Sequence, residues 1–406
     1  MEVVLKRNNS RLFVALVLAA GTALPMLAAS VANASPAPTV ARPNFVHGCQ
    51  VAPVGYAQCE DLIRIDIPGI MANALKPGAT VSGFGPSDLQ SAYKLPSSTA
   101  GTGQTVAVVD AYNDPNAASD LAVYRKQFGL PACTEASGCF QQVSQTGSST
   151  SLPKKNAGWA TEESLDIDMV SAICPNCHII LVEATSASDT NLGKAVDEAA
   201  TLGANAISNS YSGSDANDSK WGKYYDHPGI AVTASTGDSG YGTGYPATSS
   251  YVTAVGGTSL STSSNSRGWS EVAWSGAGSG CGAYNAIPSG QATVTTDCKF
   301  KAAADVSAIA DPDTGVAVYD STSSGGSVGW QVYGGTSVSS PIIASVYALA
   351  GVSANDNNNY PYAHTTNLFD ITSGNNGTCT QKVLCTAGKG WDGPTGLGTP
   401  DGDSAF

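Results

Sequence analysis

Five short apolar runs between residues 105 and 255 place the strongest limit on how this chain can fold. Runs of this kind are typical of parallel strands that are buried on both faces. A helical pattern over Asn191–Leu202 separates the second run from the third. Alternation of strand, helix and strand predicts an α/β fold, with a doubly wound, mostly parallel sheet and helices on both faces. The runs are Thr105–Asp110, His178–Glu183, Ala206–Ser210, Ile230–Ser235 and Val252–Val255.

Acidic residues stand where two of these strands end. Asp110 closes the first run, and Asp238 follows the fourth within the glycine-containing stretch Thr236–Gly240. Active sites of doubly wound sheets lie beyond the carboxyl ends of the strands, so both carboxyls are candidates for a cleft. A protonated Asp238 can donate a hydrogen bond to a developing oxyanion. The alternative is a turn aspartate that accepts hydrogen bonds from its own backbone.

A candidate nucleophile lies between Gly334 and Pro341, a stretch that reads GGTSVSSP and precedes an apolar run. The two glycines predict a tight turn. Pro341 is expected in the first turn of the helix that follows, where its missing N–H costs nothing. Ser337 would then lie at a helix start, with free N–H groups beside its hydroxyl to stabilise an oxyanion. A serine-rich helix cap without a catalytic role is the alternative.

A second helix carries a pair of acids. The pattern over Trp159–Val170 is helical, with an apolar stripe that would hold the helix against the sheet. Glu162 and Asp166 are four residues apart and therefore neighbours on one face. In a desolvated cleft the two carboxyls would share a proton, and such a carboxylate can serve as general base for a serine. On an exposed surface they would form an ordinary solvated acidic face.

The order of these motifs resembles that of the sedolisins, a family of serine-carboxyl peptidases with a subtilisin-like fold. An E-x-x-x-D helix, a glycine-flanked aspartate and a GTSxSxP helix start follow one another, and the likeness covers about residues 88–400. The resemblance implies a serine-type endopeptidase with an acid pH optimum. It assigns Ser337 as nucleophile, Glu162 as general base, Asp166 as the partner of that base, and Asp238 as the acid of the oxyanion hole.

The resemblance also implies supporting residues. An acid at the position of Asp110 extends the carboxylate chain behind the base. Ser210 and Tyr211 end the third strand, whose edge pairs with extended substrate in subtilisin-like folds; a packed surface tyrosine is the alternative for Tyr211. Near the carboxyl terminus the family pattern holds one structural calcium ion. Carboxylates and backbone carbonyls of glycine loops suit this hard cation. The matching positions are Asp370, Ile371, Gly388, Gly390 and Asp392.

Two other functions remain open. Asp110, His178 and Ser337 occur in the order of a subtilisin-type Asp-His-Ser triad, although His178 begins a strand and a subtilisin-type histidine begins a helix. A catalytically inactive, exported binding protein on the same fold is the second alternative. The presence of all four expected catalytic side chains favours the enzyme.

The amino-terminal segment predicts export. Basic residues precede the apolar stretch Leu12–Ala29, and Ala32-Asn33-Ala34 forms a small-residue cleavage site, so residues 1–34 are interpreted as a signal peptide. Residues 35–85 are proline-rich and irregular and are interpreted as a short extension, either a remnant propeptide or a structural cap. Residues 86–406 would form the peptidase domain. We expect a secreted, extracellular protein without a membrane-bound mature form.

Cysteine spacing and charge complete the expectation. The ten cysteines fall into five close pairs, which in an exported chain suggest local disulfides, although the sequence does not fix the pairing. The net charge of −13 excludes nucleic acid as a natural partner, so protein or peptide substrates and a monomeric state are expected. The pairs are Cys49/Cys59, Cys133/Cys139, Cys174/Cys177, Cys281/Cys298 and Cys379/Cys385.

Overall fold

The computed structural model describes residues 44–75, 79–324, 327–351 and 357–406. The predicted signal peptide, residues 1–34, lies outside these residues. Within the described ranges, no helix has the length and apolar character needed to cross a membrane.

Strands and helices are numbered in chain order, and short 3-10 helices lie between several of them. The strands are β1 (Phe45–His47), β2 (Gln58–Cys59), β3 (Leu62–Arg64), β4 (Thr105–Ala111), β5 (Phe140–Ser144), β6 (His178–Ala184), β7 (Ala206–Asn209), β8 (Tyr211–Ser212), β9 (Ala231–Ser235), β10 (Thr253–Thr262), β11 (Trp269–Ala273), β12 (Gly280–Cys281), β13 (Ala302–Ala303), β14 (Val306–Ile309), β15 (Val316–Ser324), β16 (Ser327–Gly334), β17 (Leu368–Phe369) and β18 (Thr399–Pro400). The helices are α1 (Pro86–Ala92), α2 (Ala117–Gln127), α3 (Ala157–Ile173), α4 (Asp189–Thr201), α5 (Asp218–Trp221), α6 (Thr336–Ala350) and α7 (Tyr360–Ala363).

The central sheet has eight strands in the order β11-β10-β9-β7-β4-β6-β5, with β14 also paired to β10. Apart from the antiparallel pair β10–β11, neighbouring strands run parallel. The five apolar runs form β4, β6, β7, β9 and the start of β10, which confirms the predicted α/β fold. Strand β10 continues beyond the predicted Val255 to Thr262, because its later residues pair with β14 and then with β11.

Helices cover both faces of this sheet. Val106 and Val108 of β4 belong to the apolar core that includes α3 and α6, whereas Ala107 and Val109 belong to the core that includes α4. Successive side chains of a strand point to opposite faces, so a continuous apolar run buries both sides. Helix α3 is buried from Trp159 to Ile173, which rules out the solvated acidic face considered for Glu162 and Asp166.

The ends of α3 and α6 follow local chemistry. The Asn156 side chain accepts hydrogen bonds from the first backbone N–H groups of α3, as an N-cap residue does. Helix α6 begins at Thr336, so Pro341 lies in its second turn and the expectation of a first-turn proline is wrong. Gly335 precedes the helix with φ +94°, a left-handed conformation that favours glycine.

Part of the predicted extension belongs to the folded body. A second sheet has the order β1-β3-β16-β15, in which Leu62 and Ile63 of β3 pair with Gly334 and Tyr333 of β16. Strand β2 pairs antiparallel with β8. Leu62 and Ile63 are buried. The described part of the extension therefore packs as an integral element, while the predicted boundary at residue 85 stays a prediction.

All ten cysteines form disulfides, and the five sequence-close pairs are confirmed. The pair Cys174–Cys177 closes the turn between α3 and β6, where the sequence also matches a haem-attachment pattern. A disulfide at this place leaves both sulfurs unavailable to another group. The bond Cys49–Cys59 instead closes a loop within the extension.

Candidate active site

The start of helix α6 places Ser337 in a buried pocket at the carboxyl edge of the sheet. Its backbone N–H donates to the carbonyl oxygen of Glu60 at 3.2 Å, and its Oγ donates to the carbonyl oxygen of Ser210 at 3.2 Å. Backbone N–H groups at a helix start have no partner within the helix and are free to bind an external oxygen. The amide of Ser337 is therefore positioned to bind a peptide carbonyl oxygen.

Pro341 leaves a carbonyl oxygen of α6 available to Ser210, the residue between β7 and β8. A helix would bond the N–H of residue 341 to the carbonyl of Ser337, but proline has no N–H to donate. The Oγ of Ser210 donates to that carbonyl oxygen at 3.3 Å and also to Oδ1 of Asp166 at 2.7 Å. Ser210 thus links the backbone of the candidate nucleophile to the acidic face of α3.

Glu162 and Asp166 lie on one face of α3 and have no solvent exposure. In the described part of the chain, neither carboxyl oxygen of Glu162 has a hydrogen-bond partner within 3.5 Å, although the Ser337 hydroxyl is close enough to favour the charged form. Burial raises the pKa of Glu162 well above its usual range, and Asp61, Asp166 and Asp110 raise it further. Burial also raises the pKa of Asp166, with Asp110 adding to the effect.

Burial of these neighbouring carboxyls favours a proton shared among them. Carboxyls that are buried together cannot all ionise, because each charge loses its hydration and repels the others. The group therefore behaves as one titrating cluster, with macroscopic pKa values that belong to the set. A cluster that takes up and releases protons beside a hydroxyl is able to act as a general base.

Asp238 lies in the turn that follows β9. Its Oδ1 accepts hydrogen bonds from the backbone N–H of Thr336 at 2.7 Å and from Thr336 Oγ1 at 2.9 Å. Its Oδ2 has no partner among the described residues. A Cβ on Gly335 would collide with both this Oδ2 and the Glu60 carbonyl oxygen, so the two oxygens border one small space. Burial, followed by the charge of Glu60, raises the pKa of Asp238 well above its usual range.

Asp110 ends β4 behind the α3 pair and is completely buried. In the described part of the chain neither of its carboxyl oxygens has a hydrogen-bond partner, and burial, Asp61 and Glu183 raise its pKa. Sequence reasoning missed Asp61, which accepts a hydrogen bond from Thr161 Oγ1 at 2.6 Å. Burial raises the pKa of Asp61 to about 6. A Glu-Asp pair directly after a cysteine, in a segment poor in charge, was the available signal.

The predicted substrate edge is only partly open to solvent. Ser210 and Tyr211 are buried, and the Tyr211 hydroxyl donates to Asn209 Oδ1 at 2.7 Å. The backbone of Tyr211 and Ser212 forms β8, which pairs with β2 of the extension. The side chain of Ser210 faces α3 and α6, as described above, and its backbone carbonyl faces Ser337 and Glu60.

The geometry contradicts the Asp-His-Ser alternative. Strands β4 and β6 are parallel, with Thr105 opposite His178 and Asp110 opposite Glu183. His178 therefore lies at the opposite end of the sheet from Asp110, five residues or roughly 16 Å along the strand. His178 is exposed and far from Ser337, so these three residues cannot form a triad.

The candidate calcium residues lie together in two adjacent loops. The Asp370 carboxyl oxygens accept from the backbone N–H of Gly390 at 3.0 and 3.2 Å. Asp392 Oδ2 accepts from Gly388 N–H at 2.9 Å, and its Oδ1 accepts from Thr395. Burial raises the pKa of Asp392 to about 7, and Asp370 contributes by repulsion. A buried carboxylate that is repelled by a second one fits a hard divalent cation.

A mostly parallel sheet with a serine-bearing helix at its carboxyl edge places this protein among the subtilisin-like folds. No family model matches the chain. It is 28% identical over 370 residues to kumamolisin of Bacillus sp. (strain MN-32), covering 81% of this chain and 64% of that protein. It is 26% identical over 369 residues to sedolisin of Pseudomonas sp. (strain 101), covering 79% and 60%.

A solved structure of Pseudomonas sedolisin, a serine-carboxyl proteinase complexed with pseudo-iodotyrostatin, has the same fold. It aligns with a TM-score of 0.64 and 24% identity, over 80% of this chain and 96% of that one. The chain is therefore similar in sequence to kumamolisin and sedolisin, and it shares the fold of the solved sedolisin. It spans about three fifths of the length of the two curated relatives.

Proposed function

We propose that this protein is a serine-carboxyl endopeptidase that hydrolyses peptide bonds of protein or peptide substrates. One observation carries the proposal: a peptide carbonyl oxygen, that of Glu60, accepts the backbone N–H of Ser337 and borders the free Oδ2 of Asp238. Hydrogen-bond donors gathered at a carbonyl oxygen are what acyl transfer requires. The similarity of the chain to kumamolisin and sedolisin supports the same activity.

Each side chain has a role in the proposed reaction. Ser337 Oγ attacks the substrate carbonyl carbon while Glu162 takes its proton, and the tetrahedral oxyanion receives hydrogen bonds from Ser337 N–H and protonated Asp238. The proton then passes to the leaving amine, and the Ser337 ester remains. Water hydrolyses the ester by the same steps in reverse order. Asp166 accepts a hydrogen bond from Ser210 and, with Asp110 behind it, keeps a proton available to Glu162.

An acid pH optimum follows from these roles. Burial raises the pKa of Asp238, so this carboxyl keeps its proton as the pH rises out of the acid range. The Glu162 and Asp166 cluster must nevertheless lose part of its protons to provide a base. Activity therefore requires a partly protonated set of carboxyls, and it should fall once the pH is high enough to ionise Asp238.

Calcium is the proposed structural cofactor. Asp370 and Asp392 would supply carboxylate ligands, and Ile371, Gly388 and Gly390 would supply backbone carbonyls. When bound, the cation would relieve the repulsion between the two carboxylates and hold the carboxyl-terminal loops together. The loops lie apart from the proposed catalytic carboxyls and take no part in the reaction.

The cellular setting is also a proposal. The signal-like residues 1–34 and the five disulfides support a secreted, extracellular enzyme. A negatively charged, charge-poor chain supports peptide rather than nucleic-acid substrates and a monomeric state. Residues 35–85 would act as an extension and residues 86–406 as the peptidase domain.

Cleavage of acid-denatured casein between pH 2 and 9 tests the proposal, with Ser337→Ala as the control. We expect acid activity that the substitution removes. Equal activity in both proteins would assign the cleavage to a contaminant and overturn the role of Ser337. An optimum above neutrality would contradict the carboxyl mechanism.

A further inference from the structure

The extension follows the path that a substrate would take. Gln58 and Cys59 of β2 pair antiparallel with Ser212 and Tyr211 of β8, and the Glu60 N–H donates to the Ser210 carbonyl oxygen at 3.3 Å. Addition of an extended strand to a free edge is a general way for proteins to bind peptides. The strand edge predicted for substrate is therefore occupied by residues 58–60 of the same chain.

Glu60 occupies the position of a residue about to be cleaved. Its carbonyl oxygen accepts the Ser337 N–H, and Cys59 to Ile63 on either side are almost completely buried. Its side chain enters a cavity of about 160 Å³ that Gly237, Asp238 and Gly240 also line. There its carboxyl accepts hydrogen bonds from Ser212 Oγ and from the Asp238 backbone N–H. The peptide bond between Glu60 and Asp61 thus lies beside Ser337.

The chain is held on both sides of this bond. After it, β3 pairs with β16, the strand that leads directly into Gly335 and α6. Before it, the disulfide Cys49–Cys59 ties the strand to the loop behind it. Strand β1 pairs with β3, with Val46 opposite Ile63, so the segments before and after the bond also pair with each other.

This arrangement differs from that of an ordinary substrate. If Ser337 Oγ attacked the Glu60 carbonyl carbon, Glu162 would pass the Oγ proton to the Asp61 nitrogen and an ester to Ser337 would form. The new Asp61 amine could not diffuse away, because β3 stays paired with β1 and β16. It would attack the ester, restore the peptide bond and return the proton, so cleavage would be reversed at high effective concentration.

We propose that residues 44–64 are a built-in inhibitor of this cleft, braced by the disulfide Cys49–Cys59 and presenting the Glu60–Asp61 bond to Ser337. The inference rests on the proposed peptidase function and names the segment that regulates it. It assigns the hydrogen bond between Glu60 and Ser212 as the contact that positions the inhibitor in the cleft. Peptide substrates would gain access only when this segment leaves the cleft.

Hydrogen–deuterium exchange tests the docking without reference to activity. The full chain would carry Ser337→Ala, which prevents cleavage, with and without Glu60→Pro. The proline removes the N–H that donates to Ser210 and the carboxyl in the cavity. We expect slow exchange of residues 56–64 and 208–213 in the single variant and at least tenfold faster exchange when Glu60→Pro is added. Unchanged exchange in β4 would show that the fold is intact.

Peptidase activity tests the inhibition. With Ser337 present, Glu60→Pro and the double variant Cys49→Ser/Cys59→Ser should each raise acid peptidase activity at least tenfold. Val54→Ala should change nothing, because Val54 lies in the same segment but is 89% exposed. Fast exchange of residues 56–64 in Ser337→Ala, or equal activity with and without Glu60→Pro, would overturn the inhibitor. An opened cleft that cleaves no peptide at any pH would instead overturn the peptidase function and leave the docking intact.

Discussion

Two sets of carboxyls in this protein have opposite surroundings. At the candidate active site, the carboxyl oxygens of Glu162 and Asp110 have no hydrogen-bond partner within 3.5 Å in the described part of the chain, although the Ser337 hydroxyl lies close to Glu162. In the carboxyl-terminal loops, Asp370 and Asp392 accept backbone N–H groups of Gly390, Gly388 and Thr395. Donors favour the charged form of a carboxyl, and burial without donors favours the neutral form. The first set is suited to carry protons, whereas the second is held by backbone donors, and a bound cation would favour the charged form of Asp392 against its burial.

Glu162→Gln should have the largest effect on the first set of carboxyls, and the effect should be a loss of peptidase activity. An amide cannot take the Ser337 proton, so peptidase activity should fall by about 10³-fold or more. Stability at pH 7 should be unchanged or higher, because the substitution removes a buried ionisable group. Casein cleavage and thermal unfolding of the same sample measure both. A fall in activity matched by a fall in stability would indicate a structural role for Glu162.

Asp238→Asn should have the next largest effect. Asparagine keeps the hydrogen-bonding shape and can still donate to an oxyanion, but it cannot titrate. Loss of one oxyanion donor costs roughly 10²–10³-fold in kcat, so a smaller loss is expected if the amide donates in its place. The acid limb of the pH profile should remain and the alkaline limb should move upward. An unchanged alkaline limb would show that Asp238 does not set it.

Asp392→Ala tests the loop carboxyls, where the expected loss is of stability. The substitution removes acceptors for three hydrogen bonds, at about 1 kcal/mol each. Catalysis at low temperature should be retained. Millimolar calcium should raise the unfolding temperature of the unchanged protein, and chelation should lower it. Calcium should not fully restore the unfolding temperature of the variant. An unfolding temperature that does not change with calcium would contradict the proposed calcium site.

Glu60→Gln should have the smallest effect, visible only in the pH dependence of stability. Burial and then Asp61 raise the pKa of Glu60 from 4.5 to about 8, against hydrogen bonds from Ser212 and the Asp238 N–H, while Asp238 itself faces the same cavity. A raised folded-state pKa stabilises the fold below about pH 4.5, and this contribution disappears as the pH rises to about 8. Each pKa unit of difference between the folded and unfolded states changes the free energy of unfolding by about 1.4 kcal/mol at most.

Denaturant unfolding of Ser337→Ala and Ser337→Ala/Glu60→Gln between pH 4 and 8 measures this slope. The glutamine should flatten it, because it cannot ionise. Ser212→Ala is a matched control that removes a donor to the carboxyl and should steepen the slope. If stability changed with pH in the same way in all three proteins, the Glu60 carboxyl would have an ordinary, solvated pKa and the prediction would be wrong.

The sequence predicted those parts of the molecule that depend on local pattern. The runs that became β4, β6 and β9 are continuous apolar stretches, and α3 carries its cap and its acids within one segment. Strands β2 and β3 escaped prediction because they pair with strands far away in the chain, as Ile63 does with Tyr333, and β1 pairs only with β3. Asp61 was missed for the same reason, since only folding brings it to Thr161. Pro341 was misplaced by one turn because glycine at 335 allows the helix to begin earlier.

Pro341 gives α6, the helix of the proposed nucleophile, a fixed orientation. A regular helix has no preferred rotation about its own axis as far as its backbone is concerned, since every inner carbonyl is already satisfied. Because Pro341 lacks an N–H, the Ser337 carbonyl oxygen has no partner within the helix, and the Ser210 hydroxyl donates a hydrogen bond to it. The hydrogen bond from Ser210 therefore fixes the rotation of α6 at Ser337, the residue whose hydroxyl must be oriented. The same Ser210 hydroxyl also contacts Asp166, so it orients α3 and α6 together.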